Sequence, residues 1–107
     1  MFFSYPQDFK ERELVPGIVL RLVWGESIML SHATFQPNST LPAHSHPNEQ
    51  TGIVIEGELK LTIGNETRLC KKGDAFTIPG NVEHSVVNGD KLTVAIDTFN
   101  PPREDYM

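Results

Sequence analysis

Cysteine, tryptophan and long apolar runs are what this 107-residue chain has least of, and each shortage excludes something. The one thiol, Cys70, can close no internal disulfide, so the fold must rest on a packed core rather than on covalent staples. No apolar stretch approaches the ~20 residues of a membrane-crossing helix. The opening Met1-Phe-Phe-Ser-Tyr-Pro carries neither the basic nor the apolar region of a leader peptide, so a cytoplasmic location without a membrane partner is expected. Basic residues are scarce as well. Nine Lys and Arg against 14 Asp and Glu leave a net charge of -5, and they gather nowhere into a patch that could track phosphates, so nucleic acid is not an expected partner. Helical periodicity of useful length is also missing.

What remains is short β-type runs. A hydrophobic content of 38% is too high for a disordered chain, and 107 residues suit one domain, 1–107, with one core. Alternating or β-branched segments recur between Gly, Pro and Asn, which predicts an all-β sandwich or barrel. Strands are expected at 18–24, 27–35, 51–64 with a break near Gly57, 67–70, 75–79, 84–88 and 92–99. "GNE" at 64–66 reads as a hairpin turn, "KKGD" at 71–74 as a reversal, and Asn88-Gly89 as the strongest hairpin signal. In "TRLCKKG" Cys70 reads as a small buried hydrophobe, and His32, without a partner at ligand spacing, as a surface or partly buried strand residue. The tail "NPPREDYM" is stiffened by Pro101 and Pro102, so Arg103 is expected at a fixed place beyond the last strand.

The chemistry begins at "HSHPNEQ". Residues two apart in a strand share a face, so His44 and His46 project together, and the parity runs on through Asn48 to Gln50 if the strand persists. Taken alone, His-x-His more often marks a pair of side chains facing water than a ligand pair. A divalent metal needs further donors from elsewhere in the chain. Gln50 offers a carbonyl oxygen and His84 an imidazole. Near the end, Asp97 and Phe99 share a strand face, mixing an acid with an aromatic as a pocket lining does. The plainer readings are a solvent-facing carboxylate for Asp97, and for Arg103 a surface salt bridge with Glu104 or Asp105.

Two longer segments alter that balance. His44-Ser-His46, three residues, Gln50, six residues and Gly57 resembles the first motif of the cupin superfamily (44–57), with Gln where Glu is usual. Gly73, Pro79, His84 and Asn88 fall in register with the second motif (73–88), although its internal glycine stands at Gly80, one place early. The resemblance implies a single-domain cupin, a small jelly-roll β-barrel holding a divalent transition metal (zinc, nickel, manganese or iron) on His44, His46, Gln50 and His84. A neutral amide in place of a carboxylate would leave such an ion more positive, and so a better Lewis acid. Glu49, by parity, points the other way.

"HSHPNEQTGIVIEGELKLTIG", "IPGNVEHS" and "DTFNPPREDY" resemble the KdgF-type pectin degradation proteins more closely still. That likeness implies an isomerase-type enzyme of uronate metabolism. It would convert 4,5-unsaturated uronates from pectin or alginate lyase action into the linear 5-keto-4-deoxyuronate. It further implies that Asp97 moves protons, Phe99 stacks on the ring and Arg103 pairs with the carboxylate. Two other readings stay open at this point. One is a cupin dioxygenase with a three-His/Gln centre, and the other a non-catalytic sugar-binding cupin. Sheet edges in so small a sandwich make a homodimer the expected assembly.

Overall fold

Alternation puts every second side chain of a strand into a common interior, and here that interior lies between two antiparallel sheets. The computed structural model describes residues 1–107. Its ten strands are β1 (Lys10–Val15), β2 (Ile18–Trp24), β3 (Met29–Phe35), β4 (Thr40–His44), β5 (Glu49–Glu56), β6 (Glu58–Ile63), β7 (Glu66–Lys71), β8 (Ala75–Ile78), β9 (His84–Asn88) and β10 (Thr93–Asn100). A 3-10 turn, Glu104–Tyr106, follows. One sheet has six strands in the order β1-β2-β3-β10-β5-β8, the other four in the order β4-β9-β6-β7. The chain forms the all-β sandwich expected from the strand pattern, with the jelly-roll form that the cupin resemblance implied. No helix is long and apolar enough to cross a membrane.

The interior is filled by the inward residues of both sheets, among them Ile18, Leu20, Leu22, Phe35, Val54, Leu59, Leu61 and Val86, with Cys70 buried beside them as a small hydrophobe. Burial of this kind is worth about 1.5–3 kcal/mol for each large side chain. The expected break in 51–64 falls at Gly57, whose φ of 78° lets the chain step from β5 in one sheet to β6 in the other. A side chain there would run into the Thr93 hydroxyl and the Leu92 carbonyl. The β6–β7 hairpin turns as expected through Gly64 and Asn65, with Ile63 paired to Glu66.

Three expectations need correction. Asn88-Gly89 makes no hairpin, because β9 and β10 belong to different sheets. The Asn88 amide is instead buried, donating to the carbonyls of Phe35 (3.1 Å), Gln36 (2.8 Å) and Lys91 (2.8 Å), while Thr93 Oγ1 donates to its Oδ1 at 2.9 Å. It ties β9 to the ends of β3 and β10 across the interior, a demand that overrides turn propensity. Strands β1 and β4 were not expected: "KERELV" is an exposed charged edge, and "TLPAH" carries Pro42, which only an edge strand tolerates. Finally, β4 stops at His44, so His46 lies beyond it and not on the same strand. The alternation nevertheless continues through the unpaired segment, with His46 and Asn48 buried and Ser45 and Pro47 exposed.

Candidate metal centre

Register builds this site. Across the four-stranded sheet His44 pairs with His84, and His84 with Ile63. Across the six-stranded sheet Met29 pairs with Phe99, Phe99 with Gln50, and Gln50 with Ile78. Two imidazoles from one sheet thus meet an amide from the other. His46 joins them from the segment after β4, which the Asn81 amide pins by donating to the His46 carbonyl at 2.7 Å. The shifted motif glycine has its reason here. A Cβ at Gly80 would meet the Pro47 carbonyl oxygen at 2.5 Å, while the left-handed turn falls on the next residue, Asn81 (φ 67°), which tolerates it.

Each imidazole is held the same way. His44 Nδ1 lies 2.9 Å from the Pro42 carbonyl, His46 Nδ1 3.0 Å from that of Asn48, and His84 Nδ1 2.9 Å from that of Val82. A carbonyl accepts only, so each Nδ1 carries the proton and each Nε2 keeps its lone pair. The ligand atoms of the three rings lie within 4.8 Å of one another, and His84 Nε2 is buried with no partner. Gln50 donates through Nε2 to Asp97 Oδ1 at 3.2 Å, which turns its Oε1 toward His46 Nε2 at 3.1 Å. Two acceptors facing each other repel unless a cation lies between them. Ligands about 2.1 Å from one ion and at right angles stand about 3 Å apart, so this spacing fits a shared divalent ion. Burial, reinforced by the charges of His44, His46 and Arg103, lowers His84 to about 4 against the pull of the Val82 carbonyl. Burial first and Arg103 second also lower His46. Both are therefore neutral at pH 7, the form that binds metal.

Asp97 occupies the adjoining row, Leu22, Ser31, Asp97, Gly52 and Phe76, running across β2, β3, β10, β5 and β8. It is only 7% exposed, and burial pushes its carboxyl from 3.8 up to about 6, with the Gln50 amide opposing. Gly52 makes room for it: a Cβ there would overlap Asp97 Oδ1 and the Phe76 ring. Phe99 stands edge-on to His46, ring centroids 5.7 Å apart. The Arg103 guanidinium stacks 4.0 Å from the Tyr106 ring centroid and 5.6 Å from that of Phe99.

The plainer reading of Arg103 holds for its partner but not for a place at the surface. The side chain is buried, yet it also forms the salt bridge with Asp105, through Nε (3.3 Å) and Nη2 (2.8 Å), and donates from Nη1 to the Tyr106 hydroxyl at 2.7 Å. Asn48 Nδ2 donates to the Pro101 carbonyl at 2.7 Å, tying the tail to the His46 segment. A cavity of about 50 Å³ is bordered by His44, Gln50, His84, Asp97, Phe99 and Arg103. Arg103 also borders an outer polar hollow of about 470 Å³ with His46 and Asn48. All seven residues expected at the site lie together here. Ser31, Asn48, Gly52 and Tyr106 were not foreseen. Asn48 had a signal in the parity of 44, 46 and 48, and Gly52 in being a glycine inside a strand.

Residues 31–99 match the family model described as a cupin domain. The pectin degradation protein KdgF of Dickeya dadantii is 32% identical over 97 residues, 89% of this chain and 88% of that protein. The H2HPP isomerase of Bacillus subtilis is 34% identical over 90 residues, 75% of this chain but 37% of that longer protein. Among solved structures, KdgF from a Halomonas species superposes with a TM-score of 0.89 at 26% identity, covering 100% of this chain and 99% of the other.

Proposed function

The chain belongs to the cupin family, and from that premise we propose that it is a metal-dependent enzyme opening 4,5-unsaturated uronates to the linear 5-keto-4-deoxyuronate. The observation that carries this reading is Asp97: a buried acid pushed up to about 6, hydrogen-bonded to a neutral amide whose other end reaches the three-histidine cluster. His44, His46, Gln50 and His84 are the residues that would hold a divalent ion. Bound there, the ion supplies Lewis-acid charge to a substrate oxygen.

The reaction is a balanced isomerisation. Asp97 accepts the proton of the anomeric hydroxyl, the anomeric carbon becomes a carbonyl as its bond to the ring oxygen breaks, and the former ring oxygen leaves as an enolate oxygen. Asp97 then gives that same proton to C4 as the enolate becomes a ketone, which leaves the carboxylate as it began. An acid titrating near 6 suits both halves, because it neither holds nor sheds its proton strongly near neutrality. Phe99 offers its face to the flat unsaturated ring. Arg103 takes the uronate carboxylate by exchanging it for Asp105, whose side chain is 59% exposed and so leaves at little cost. No net oxidation occurs, which separates this reading from oxygen chemistry at the same centre. The test follows metal-loaded protein with an unsaturated monouronate under anaerobic conditions. Loss of the double-bond absorbance without oxygen is expected, and a requirement for oxygen uptake overturns the reading. Asp97→Asn should bind metal and lose turnover; full activity would remove Asp97 from the chemistry.

A second copy of the chain is the proposed partner. Ile53 and Ile55, on a face of the six-stranded sheet turned away from the core, are 39% and 41% exposed, and pairing would cover them. Sedimentation showing only monomer at micromolar concentration would contradict this.

A further inference from the structure

Ser31 is fully buried, and its hydroxyl has no hydrogen-bond partner. Buried hydroxyls are ordinarily paired, because leaving one unpaired in an apolar interior opposes folding. Its position explains the exception. Ser31 borders the same cavity as Asp97, Gln50, His44 and His84, and it is the direct β3 partner of Asp97 on β10. Side chains of such opposite pairs have Cβ atoms about 4.5–5.5 Å apart on one face of the sheet, close enough for one ligand oxygen to touch both. On the other side of Asp97 stands Gly52, which has no side chain to offer it a hydrogen bond. The next inward row, Leu20, Ala33, Ala95 and Val54, is wholly apolar. The one hydrogen bond Asp97 receives falls on Oδ1, from Gln50. An unpartnered hydroxyl donor therefore stands opposite a carboxylate whose other oxygen accepts no hydrogen bond, and both residues border the cavity.

We infer that Ser31 is a substrate-binding residue, its hydroxyl donating to the sugar hydroxyl oxygen whose own proton goes to Asp97. This rests on the uronate reading above. Two contacts on one hydroxyl fix its direction: Ser31 holds the oxygen's lone pair, so the O–H bond points at the carboxylate. Ser31 also stabilises the negative charge that builds on that oxygen as the proton leaves, so its contribution grows toward the transition state.

The test is Ser31→Ala, measured for stability and for turnover. Chelated Ser31→Ala should melt at or above the wild-type temperature, because an unpaired buried hydroxyl is removed. On an unsaturated uronate its kcat should fall roughly 5- to 30-fold, the loss of one hydrogen bond, with a smaller change in KM. Combined with Asp97→Asn, the two losses should fall well short of multiplying, since both act on one hydroxyl. A kcat within twofold of wild type, or fully multiplicative losses, overturns the inference while leaving the uronate reading intact. Wild-type protein that is metal-loaded but inert toward the uronate overturns both. Ser31→Thr, which keeps the hydroxyl, serves as a second variant should Ser31→Ala unfold; in soluble form it should retain more kcat than Ser31→Cys, and the reverse order counts against the assignment.

Discussion

Replacing Asp97 by Asn should stabilise the metal-free protein at neutral pH and leave it almost unchanged in acid. Burial raises the folded carboxyl to about 6 against 3.8 in the open chain, so between those values the folded state binds more protons than the unfolded state. Stability from this group is therefore fully present below 3.8 and is lost as pH rises through 6. A gap of roughly two pH units corresponds to about 3 kcal/mol at full development. Asn keeps the shape and the acceptor for Gln50 Nε2 but does not ionise. His84 works in the opposite direction, its folded value near 4 lying below 6.5, so its stability is lost as pH falls from 6.5 toward 4. It is common to both proteins and drops out of the difference. Urea denaturation with chelator present, at pH 4 and pH 7, measures the effect. The variant's advantage should grow by about 2–3 kcal/mol between the two, a midpoint shift of roughly 1–2 M urea. Chelator is essential, because a cation beside the carboxylate would favour its ionised form and hide the effect. An advantage equal at both pH values would refute the reasoning.

Three further substitutions probe the surroundings. Gly52→Ala drives a Cβ into Asp97 Oδ1 and the Phe76 ring, and should cost about 1–3 kcal/mol in urea melts and lower turnover while metal binding persists; wild-type turnover would mean that Asp97 tolerates displacement. Asp105→Asn frees the Arg103 fork and should lower KM for a uronate by up to about fivefold, in keeping with a half-exposed ion pair, whereas a raised KM would make Asp105 part of the binding site. Gln50→Glu adds an anionic donor and should tighten divalent-metal binding at least about tenfold in chelator competition, yet slow turnover, since the introduced carboxylate repels that of Asp97. Unchanged metal affinity would remove residue 50 from the donor set.

Which features are legible in the sequence follows from which interactions are local. Strands with apolar alternation, such as "IVLRLVW" and "TVAIDTF", announced themselves, because period-two burial is written in neighbouring letters. Strand β1 did not, since an edge strand needs only backbone pairing and can carry Lys10, Glu11, Arg12 and Glu13. Asn88-Gly89 misled because turn propensity competes with tertiary hydrogen bonds, and here the buried amide won. At the site, His44, His46, Gln50 and His84 were legible through motif spacing. Ser31 and Gly52 were not, because nothing in "LSHAT" or "QTGIV" states that both will flank Asp97; that follows only from the β3–β10–β5 register. Arg103 was legible in position and in its pairing with Asp105, but not in its burial or its bond to Tyr106, which depend on the turn that wraps Tyr106 around it.

The most direct measurement is anaerobic incubation of the protein with a lyase-made unsaturated galacturonate, following the double-bond absorbance and the product by NMR. Metal-loaded wild type should consume the substrate and yield the linear keto-uronate. Chelated protein and His84→Ala, which lacks the buried Nε2, should not. Equal turnover by loaded, chelated and His84→Ala proteins would contradict a metal centre at these residues, and none by any of them would contradict the uronate chemistry itself.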